Sequence, residues 1–398
     1  MTHRGRLALG LGGATYLAGW AFGSKALYPV ALGLLAAVLL AWLWTRLALR
    51  PLELRRSLSA GDRVEGESVE VRLQLVAERT LVPARWVLHE RIGKLGERET
   101  PLRLGGHARY VLEGLPRGRY AFEESRAVVE DPFGLERIEQ PLSAPSALLV
   151  YPRLVELERL FSESGDRALD GRRLLLRRPS GFDLHSVREY EQGESLRKVH
   201  WRSTARRGQL MVKELEDSPR DEVAVVLDAD PGAVVGESFD VQVRAAGSIL
   251  QAHACRGRRT VLLINAGRAA QQRVHSGDGD WRLALDLLAA VEPEPGPPVA
   301  ALLGEEASAA ARALELVVVT GSLSPQLVER LVARALGHRG ASLVLVDTAS
   351  FSAVPAGGRP LPELLRLQAA GVAVAVLRRG DDLARSLAAR EPAKAAHG

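Results

Sequence analysis

Three polar clusters that close apolar runs are the places where this sequence could do chemistry. Asp228-Ala229-Asp230 follows Val223–Leu227, Thr320-Gly321-Ser322 follows Leu316–Val319, and Asp347-Thr348 follows Ser342–Val346. If those runs are strands of one open sheet, their carboxyl ends converge where such folds bind ligands. Carboxylates and hydroxyls meeting there could hold a hard cation such as Mg²⁺. Asp228, Asp230 and Thr320 are therefore the candidate metal set. The same residue types are also ordinary caps and turn formers. A second pair, His185 and Glu189, stands four residues apart, with His200 further along. On a helix the pair would share a face, as metal ligands or as a base and its orienter. With Asp228 and Asp230 it completes the residue set of a metal-assisted hydrolase.

Other chemistries lack their residues. No H-E-x-x-H, C-x-x-C or paired-cysteine spacing supports zinc. No G-x-x-x-x-G-K-[ST] loop or G-x-S-x-G elbow is present, and Gly10-Leu11-Gly12-Gly13 lies inside an apolar stretch. Cys255 is the single cysteine, which excludes an internal disulfide and reads as a small buried hydrophobe. The run Arg202-Ser203-Thr204-Ala205-Arg206-Arg207 could meet phosphates, but nearby Glu189, Glu191, Glu194 and Glu214 blunt its field. No nucleic-acid partner is expected. A net charge of +5 over 398 residues suits an anionic membrane surface at least as well.

The elements that must position these residues follow from periodicity. From Glu222 onward apolar runs alternate with amphipathic segments. Strands are expected at Val223–Leu227, Thr260–Ile264, Leu316–Val319, Ser342–Val346 and Val372–Leu377. Helices are expected at about Phe239–Cys255, Trp281–Val291, Pro325–Leu336, Leu361–Ala369 and Asp381–Ala389. That alternation predicts a doubly wound α/β domain around a parallel sheet. Upstream, Val69, Val71, Leu73 and Leu75 alternate with polar residues, and Trp86–Leu88, Tyr110–Leu112, Ala127–Val129 and Ala147–Val150 continue in short runs. Turn residues separate them, which predicts a β-sandwich. His89 falls within that pattern as a structural residue without a partner. Leu154–Arg178 reads as a basic linker helix.

At the N-terminus, Leu7–Gly23 and Tyr28–Thr45 are apolar and uncharged, each near the length that crosses hydrocarbon. Arg4 and Arg6 precede the first, and Arg46, Arg50, Arg55 and Arg56 follow the second, against Lys25 between them. The positive-inside tendency places both ends of a two-helix hairpin in the cytoplasm. The rival is a cleaved signal peptide ending near Ala21-Phe22-Gly23, which would leave a second span within a few residues. The expected layout is a transmembrane hairpin (1–50), a β-sandwich domain (51–153), a linker and motif segment (154–218), an α/β domain (219–390) and a tail (391–398).

The segment 181–214 joins the two halves. It interleaves both signs of charge with Phe182, Tyr190 and Trp201, a pattern of ordered surface with aromatic anchors. Its motif runs Gly181; Arg188, Glu189 and Tyr190; Gly193 and Glu194; Arg197, Val199 and Trp201; Ala205 and Arg206; Leu210, Val212, Lys213 and Glu214. In this it resembles the bacterial family called domain of unknown function 58. Arg117-Gly118-x-Tyr120, Asp131-Pro132-Phe133-Gly134-Leu135 and Val150-Tyr151-Pro152 resemble that family as well.

The resemblance implies an α/β domain similar to von Willebrand factor A domains, which often bind a divalent cation through Asp-x-Ser-x-Ser. It also implies a MoxR-type AAA+ ATPase as partner. Asp228-Ala229-Asp230-Pro231-Gly232 keeps the first Asp of that cation pattern and lacks both serines, and Thr320-Gly321 stands where an acidic residue is expected.

The leading expectation is a membrane-anchored, non-enzymatic adaptor in the inner (cytoplasmic) membrane. Its soluble part faces the cytoplasm, and its docking surface is built from the motif residues, including Arg188, Glu189, Tyr190, Arg197, Trp201, Arg206, Lys213 and Glu214. It requires no cofactor, or Mg²⁺ at Asp228. The metal-assisted hydrolase and a structural envelope protein are the alternatives.

Overall fold

The structure, a computed structural model, describes residues 1–49, 51–59, 61–77, 84–103, 105–165, 184–189, 201–215, 222–267, 270–274, 278–304, 308–352 and 361–389. It divides into two compact units, Met1–Tyr151 and Pro152–Gly398.

The first unit opens with helices α1 (His3–Phe22) and α2 (Leu27–Ala48). Thr2 caps α1 through its side chain, and Gly23 ends it in the left-handed region at φ 66°. Gly12 and Gly19 face Leu34, Leu35, Leu27 and Tyr28, so the two helices pack side by side. Among the described residues one helix, Leu27–Ala48, is long and apolar enough to cross a membrane. Arg4, Arg6 and several glycines dilute the apolar character of α1, so it does not meet that measure.

Among the described residues nine strands follow: β1 (Leu52–Leu58), β2 (Arg63–Val64), β3 (Val69–Ala77), β4 (Arg85–Ile92), β5 (Glu97–Arg103), β6 (His107–Leu112), β7 (Gly118–Glu130), β8 (Arg137–Leu142) and β9 (Ser146–Tyr151). They form a sheet β1-β3-β6 and a second sheet β2-β9-β7-β4-β5, with β8 also on β7. Val69, Val71, Leu73 and Leu75 of the first sheet share one core with Trp86, Leu88, Tyr120, Phe122 and Val129 of the second. The two-residue period expected from these positions is what buries them. Tyr120 donates to the Pro116 carbonyl at 2.7 Å, tying the β7 start to its preceding turn.

Two residues behave otherwise than their sequence context suggested. His89 has a partner after all: the β4–β5 register sets it opposite Glu99, with Nδ1 3.4 Å from Oε1. Arg56, counted with the flanking charges of the apolar helices, is a core residue whose side chain keeps 2% of its exposure. It reaches across from β1 to the other sheet. Its guanidinium donates to Glu90 Oε1 (3.1 and 2.5 Å), the Ala144 carbonyl (2.6 Å), Ser146 Oγ (2.7 Å) and Ser125 Oγ (2.9 Å). It also lies over the Phe122 ring at 4.4 Å. Tyr110 completes the group, donating to Glu90 Oε2 at 2.9 Å. Burial, with the Glu90 charge adding, pushes the Tyr110 hydroxyl well above its ordinary value.

The second unit begins as a strap. Leu154–Arg178 reads as helical, but its described part up to Gly165 is extended and ends in a 3₁₀ turn, Phe161–Gly165. The tertiary core claims this segment: Leu157 and Leu160 join it, the Val155 N–H donates to Ser248 Oγ (3.0 Å), and Leu160 bridges to Ala388. Next comes an antiparallel pair, β10 (Leu184–Glu189) and β11 (Met211–Leu215), joined through helix α3 (Trp201–Arg207).

The main sheet contains β12 (Glu222–Leu227), β13 (Arg259–Ile264), β14 (Ala270–Val274), β15 (Glu315–Thr320), β16 (Gly340–Val346) and β17 (Ala373–Leu377). Their order is β14-β13-β12-β15-β16-β17, and every pairing is parallel except β13–β14. Helices cover both faces. Phe239, Val243, Ile249 and Leu250 of α4 (Ser238–Cys255) and Ala284 and Leu288 of α5 (Asp278–Ala290) pack with Val225, Leu227 and Val319. The other face, Ala224, Val226 and Val318, is covered from α6 (Val299–Gly304), α7 (Ala309–Arg312), α8 (Pro325–Leu336) and α9 (Leu361–Ala369). This two-sided burial is why β12 is apolar without alternation. A short helix α10 (Leu383–Leu387) closes the described chain. Cys255, read as buried, is exposed at the end of α4.

Candidate functional site

Asp228 ends β12 in the middle of the sheet and is 6% exposed. Its backbone N–H continues the β12–β15 ladder to the Val319 carbonyl at 2.9 Å. Oδ1 accepts from Asn265 Nδ2 at 2.8 Å and from the Asp230 N–H at 3.2 Å. Oδ2 accepts from Thr320 Oγ1 at 2.6 Å. Asp228 and Thr320 are thus brought together from β12 and β15, with Asn265, just beyond β13, as the third member. Asn265 is fully used, since its Oδ1 also accepts from the Ala229 N–H (2.5 Å) and its Nδ2 from the other side reaches the Pro297 carbonyl (3.2 Å). Sequence reading missed Asn265. The signal available was its place directly after the strand Thr260–Ile264, the same register position that flags Asp228 and Thr320.

The backbone is closed tightly around this cluster. A Cβ on Gly321 would lie 2.0 Å from the Ala233 carbonyl oxygen, and one on Gly296 would lie 1.6 Å from the Asn265 carbonyl oxygen. Only glycine fits either crossing.

The other predicted members are placed elsewhere. Asp230 is exposed and turned onto its own chain, with Oδ1 accepting from the Gly232 N–H at 3.3 Å as the cap of a 3₁₀ turn. Asp347 faces Arg378, with Oδ2 3.7 Å from Nε. A divalent cation needs several free oxygens. Here both acceptor positions of Asp228 Oδ1 are taken, Oδ2 carries the Thr320 hydroxyl, and Asp230 points away. As arranged, the donor set fits a latch that joins three strand ends and does not fit a cation site. Among the described residues no three His, Cys, Asp or Glu side chains group as a metal centre.

His185 and Glu189 lie on strand β10, so the helical face that would have paired them does not exist. His200 lies outside the described residues. Of the motif, Arg188 and Glu189 are on β10, opposite Val212 and Met211 of β11, and Lys213 and Glu214 are on β11 itself. Trp201, Ala205 and Arg206 are on α3. Gly181, Tyr190, Gly193 and Arg197 lie outside the described residues. Helix α3 buries none of its residues; Trp201 is 67% exposed among exposed Arg202, Arg206 and Arg207. It is nevertheless tied down, because Thr204 Oγ1 accepts from the N–H of buried Met211 at 3.0 Å.

At the opposite, amino-terminal edge of the sheet a second polar group surrounds His253, which is fully buried at the end of α4. Its Nδ1 lies 3.2 Å from Arg258, which in turn donates to Glu315 Oε2 at 2.7 Å. Burial pushes the imidazole down to about 4; Glu315 acts against the shift, and Arg258 and Arg256 add to it. The unfolded chain binds this proton near pH 6.5 and the folded one does not until about pH 4. Stability is therefore expected to fall as pH drops through that window, by at most about 1.4 kcal/mol per pH unit. Melting curves of the protein and of His253→Leu from pH 7 to 4.5 check this. The loss should be shallower in the variant, and parallel curves would refute the assignment.

Residues 186–361 match the family model described as protein of unknown function DUF58. The chain is 25% identical over 221 residues to the uncharacterized protein YeaD of Bacillus subtilis (strain 168), covering 55% of this chain and 54% of that protein. It thus spans about half the length of this curated relative. Among solved structures, the ApaA protein from Bordetella pertussis aligns over 26% of this chain and 97% of its own, at 16% identity and a TM-score of 0.16. Spo0M, the sporulation control protein of Bacillus subtilis, aligns over 36% of this chain and 59% of its own, at 12% identity and a TM-score of 0.14. Scores this low establish no shared fold.

Proposed function

We propose that this protein is a membrane-anchored, non-enzymatic interaction protein whose α3 surface docks a MoxR-type AAA+ ATPase. In this reading α1 and α2 form the two-helix membrane hairpin, both its ends lie in the cytoplasm, and the α/β domain is of the von Willebrand factor A type. The observation that carries it is the exposure of Trp201 among arginines on an ordered helix that contributes nothing to a core. Trp and Arg are the residues that dominate binding energy at interfaces, where a desolvated indole and a paired guanidinium act together. The complementary partner surface offers an apolar pocket rimmed by carboxylates. The latch role of Asp228 supports binding over catalysis, because its carboxylate is engaged in joining strand ends.

The test is capture of a MoxR-type AAA+ ATPase by the full-length protein in detergent. Changing Trp201→Ala, Arg202→Glu and Arg206→Glu together should weaken capture at least about tenfold, as loss of one hot spot does. The melting curve should not move, since α3 has no buried side chain. Undiminished capture by the triple variant sinks the docking role.

A further inference from the structure

The loop Asp131–Glu136 is built to hold an aromatic side chain in the open. Asp131 fixes it from within: Oδ2 accepts from the Phe133 N–H at 2.8 Å and Oδ1 from the Glu136 N–H at 2.6 Å. Phe133 is left 76% exposed. A lone exposed apolar side chain is ordinary at a protein surface, so any role for this ring must come from where the loop lies.

The position of that loop explains it. Thr2 Oγ1 donates to the Gly134 carbonyl (2.7 Å) and the Leu135 carbonyl (3.0 Å), and the Thr2 N–H donates to the Leu135 carbonyl (3.1 Å). A Cβ on Gly5 would lie 2.1 Å from the Leu135 oxygen, so the loop and the first turn of α1 are in backbone contact. This is the end of α1 that carries exposed Arg4 and Arg6, beside the end of α2 where Arg46 lies over Trp42 at 5.5 Å. Arginines and aromatic rings gathered at one end of an apolar helix pair are the composition of a headgroup boundary.

We propose that Phe133 is an interfacial anchor: the Asp131–Glu136 loop inserts its ring among the lipid headgroups and so seats the β-domain on the bilayer. This rests on the membrane reading of α2 given above. Insertion adds no new fold requirement, because the ring is already displayed and the loop is already bonded to the helix end.

Single-cysteine variants of the full chain, made in Cys255→Ser and labelled with an environment-sensitive fluorophore in anionic liposomes, test it. The sites are Phe133→Cys, Leu39→Cys at the exposed middle of α2, and Leu95→Cys in the turn after β4. Leu95 is the soluble control. β4 pairs Trp86 with Val129 and Ile92 with Phe122, so the turn lies at the far end of the strand from the Phe133 loop, roughly 20 Å away at 3.3 Å per residue. The label at 133 should lose roughly half its emission to lipids carrying a nitroxide near the headgroup, as expected 5–10 Å into the boundary. The label at 95 should lose none. The label at 39 should respond to a nitroxide deep in the acyl chain. If 39 is quenched and 133 behaves like 95, the anchor is overturned and the membrane span stands. If neither 39 nor 133 is quenched, the span itself falls, and the anchor with it.

Discussion

Replacing Glu90 with alanine is expected to destabilise the first unit by about 3–5 kcal/mol, the cost of leaving a buried charge without its counter-ion. The cation left behind would be Arg56, whose side chain is 2% exposed and which bridges the two sheets. Glu90 accepts two of its donor contacts and the Tyr110 hydroxyl besides. The Glu90 side chain is itself 0% exposed, on the same strand as the buried Trp86 and Leu88. Denaturant titration with hydrogen exchange read over β4 and β7 isolates this unit from the rest of the chain. The double change Arg56→Met with Glu90→Leu should recover most of the loss, since a buried pair contributes little over well-packed apolar residues. If the single variant loses less than about 1 kcal/mol, the pair is not desolvated in the manner described.

The second large effect is expected at Asn265→Ala in the strand-end latch. The change strips a partner from the buried Ala229 N–H and from Asp228 Oδ1, and it removes the tie to the Pro297 carbonyl. Each buried group left unpaired costs about 1–3 kcal/mol, so a total near 3 kcal/mol is expected. The companion Asn265→Asp sets two carboxyls in hydrogen-bond contact, where both cannot be charged together. The folded variant must hold a proton that the unfolded chain releases, so its stability should fall as pH rises. That trend is opposite in sign to the His253 effect, and urea midpoints at pH 5 and 8 separate the two. An Asn265→Asp variant insensitive to pH would show that Asp228 and residue 265 do not meet.

The alternating half of the chain was legible because parallel strands buried on both faces leave continuous apolar runs. Val223–Leu227 is found one residue short of β12, Leu316–Val319 is one residue short of β15 at each end, and the Pro325–Leu336 helix is found at both ends. β14, by contrast, left no signal. Ala270–Val274 reads AQQRV, polar and low in β-propensity, and it becomes a strand by pairing antiparallel on the free edge of β13. The strap of residues 152–165 failed for a related reason: Leu157 and Leu160 are spaced like a helical face, yet the core of the second unit draws them in as an extended segment.

The site divides in the same way. Asp228 and Thr320 were visible as polar residues closing apolar runs, and the family motif was visible as a long pattern of residue types. Asn265 was equally well placed in the sequence, but nothing local distinguishes an amide that completes a latch from one that caps a loop. Glu90 offered a fairer clue, because it shares the inward face of β4 with Trp86, Leu88 and Ile92.

By itself, then, the sequence determined the membrane-length apolar helix, the period of most strands and helices, and the family-model match over residues 186–361, since all three depend on residue types along a contiguous stretch. Only the tertiary structure decided the meaning of the charges. Arg4, Arg6 and Arg46 remain at the surface while Arg56 is withdrawn into the β-domain, and Asp228 is spent on its neighbours while Trp201 is left free. A charge or a ring acquires its role from what surrounds it in three dimensions, through the desolvation and pairing that residues distant in sequence impose.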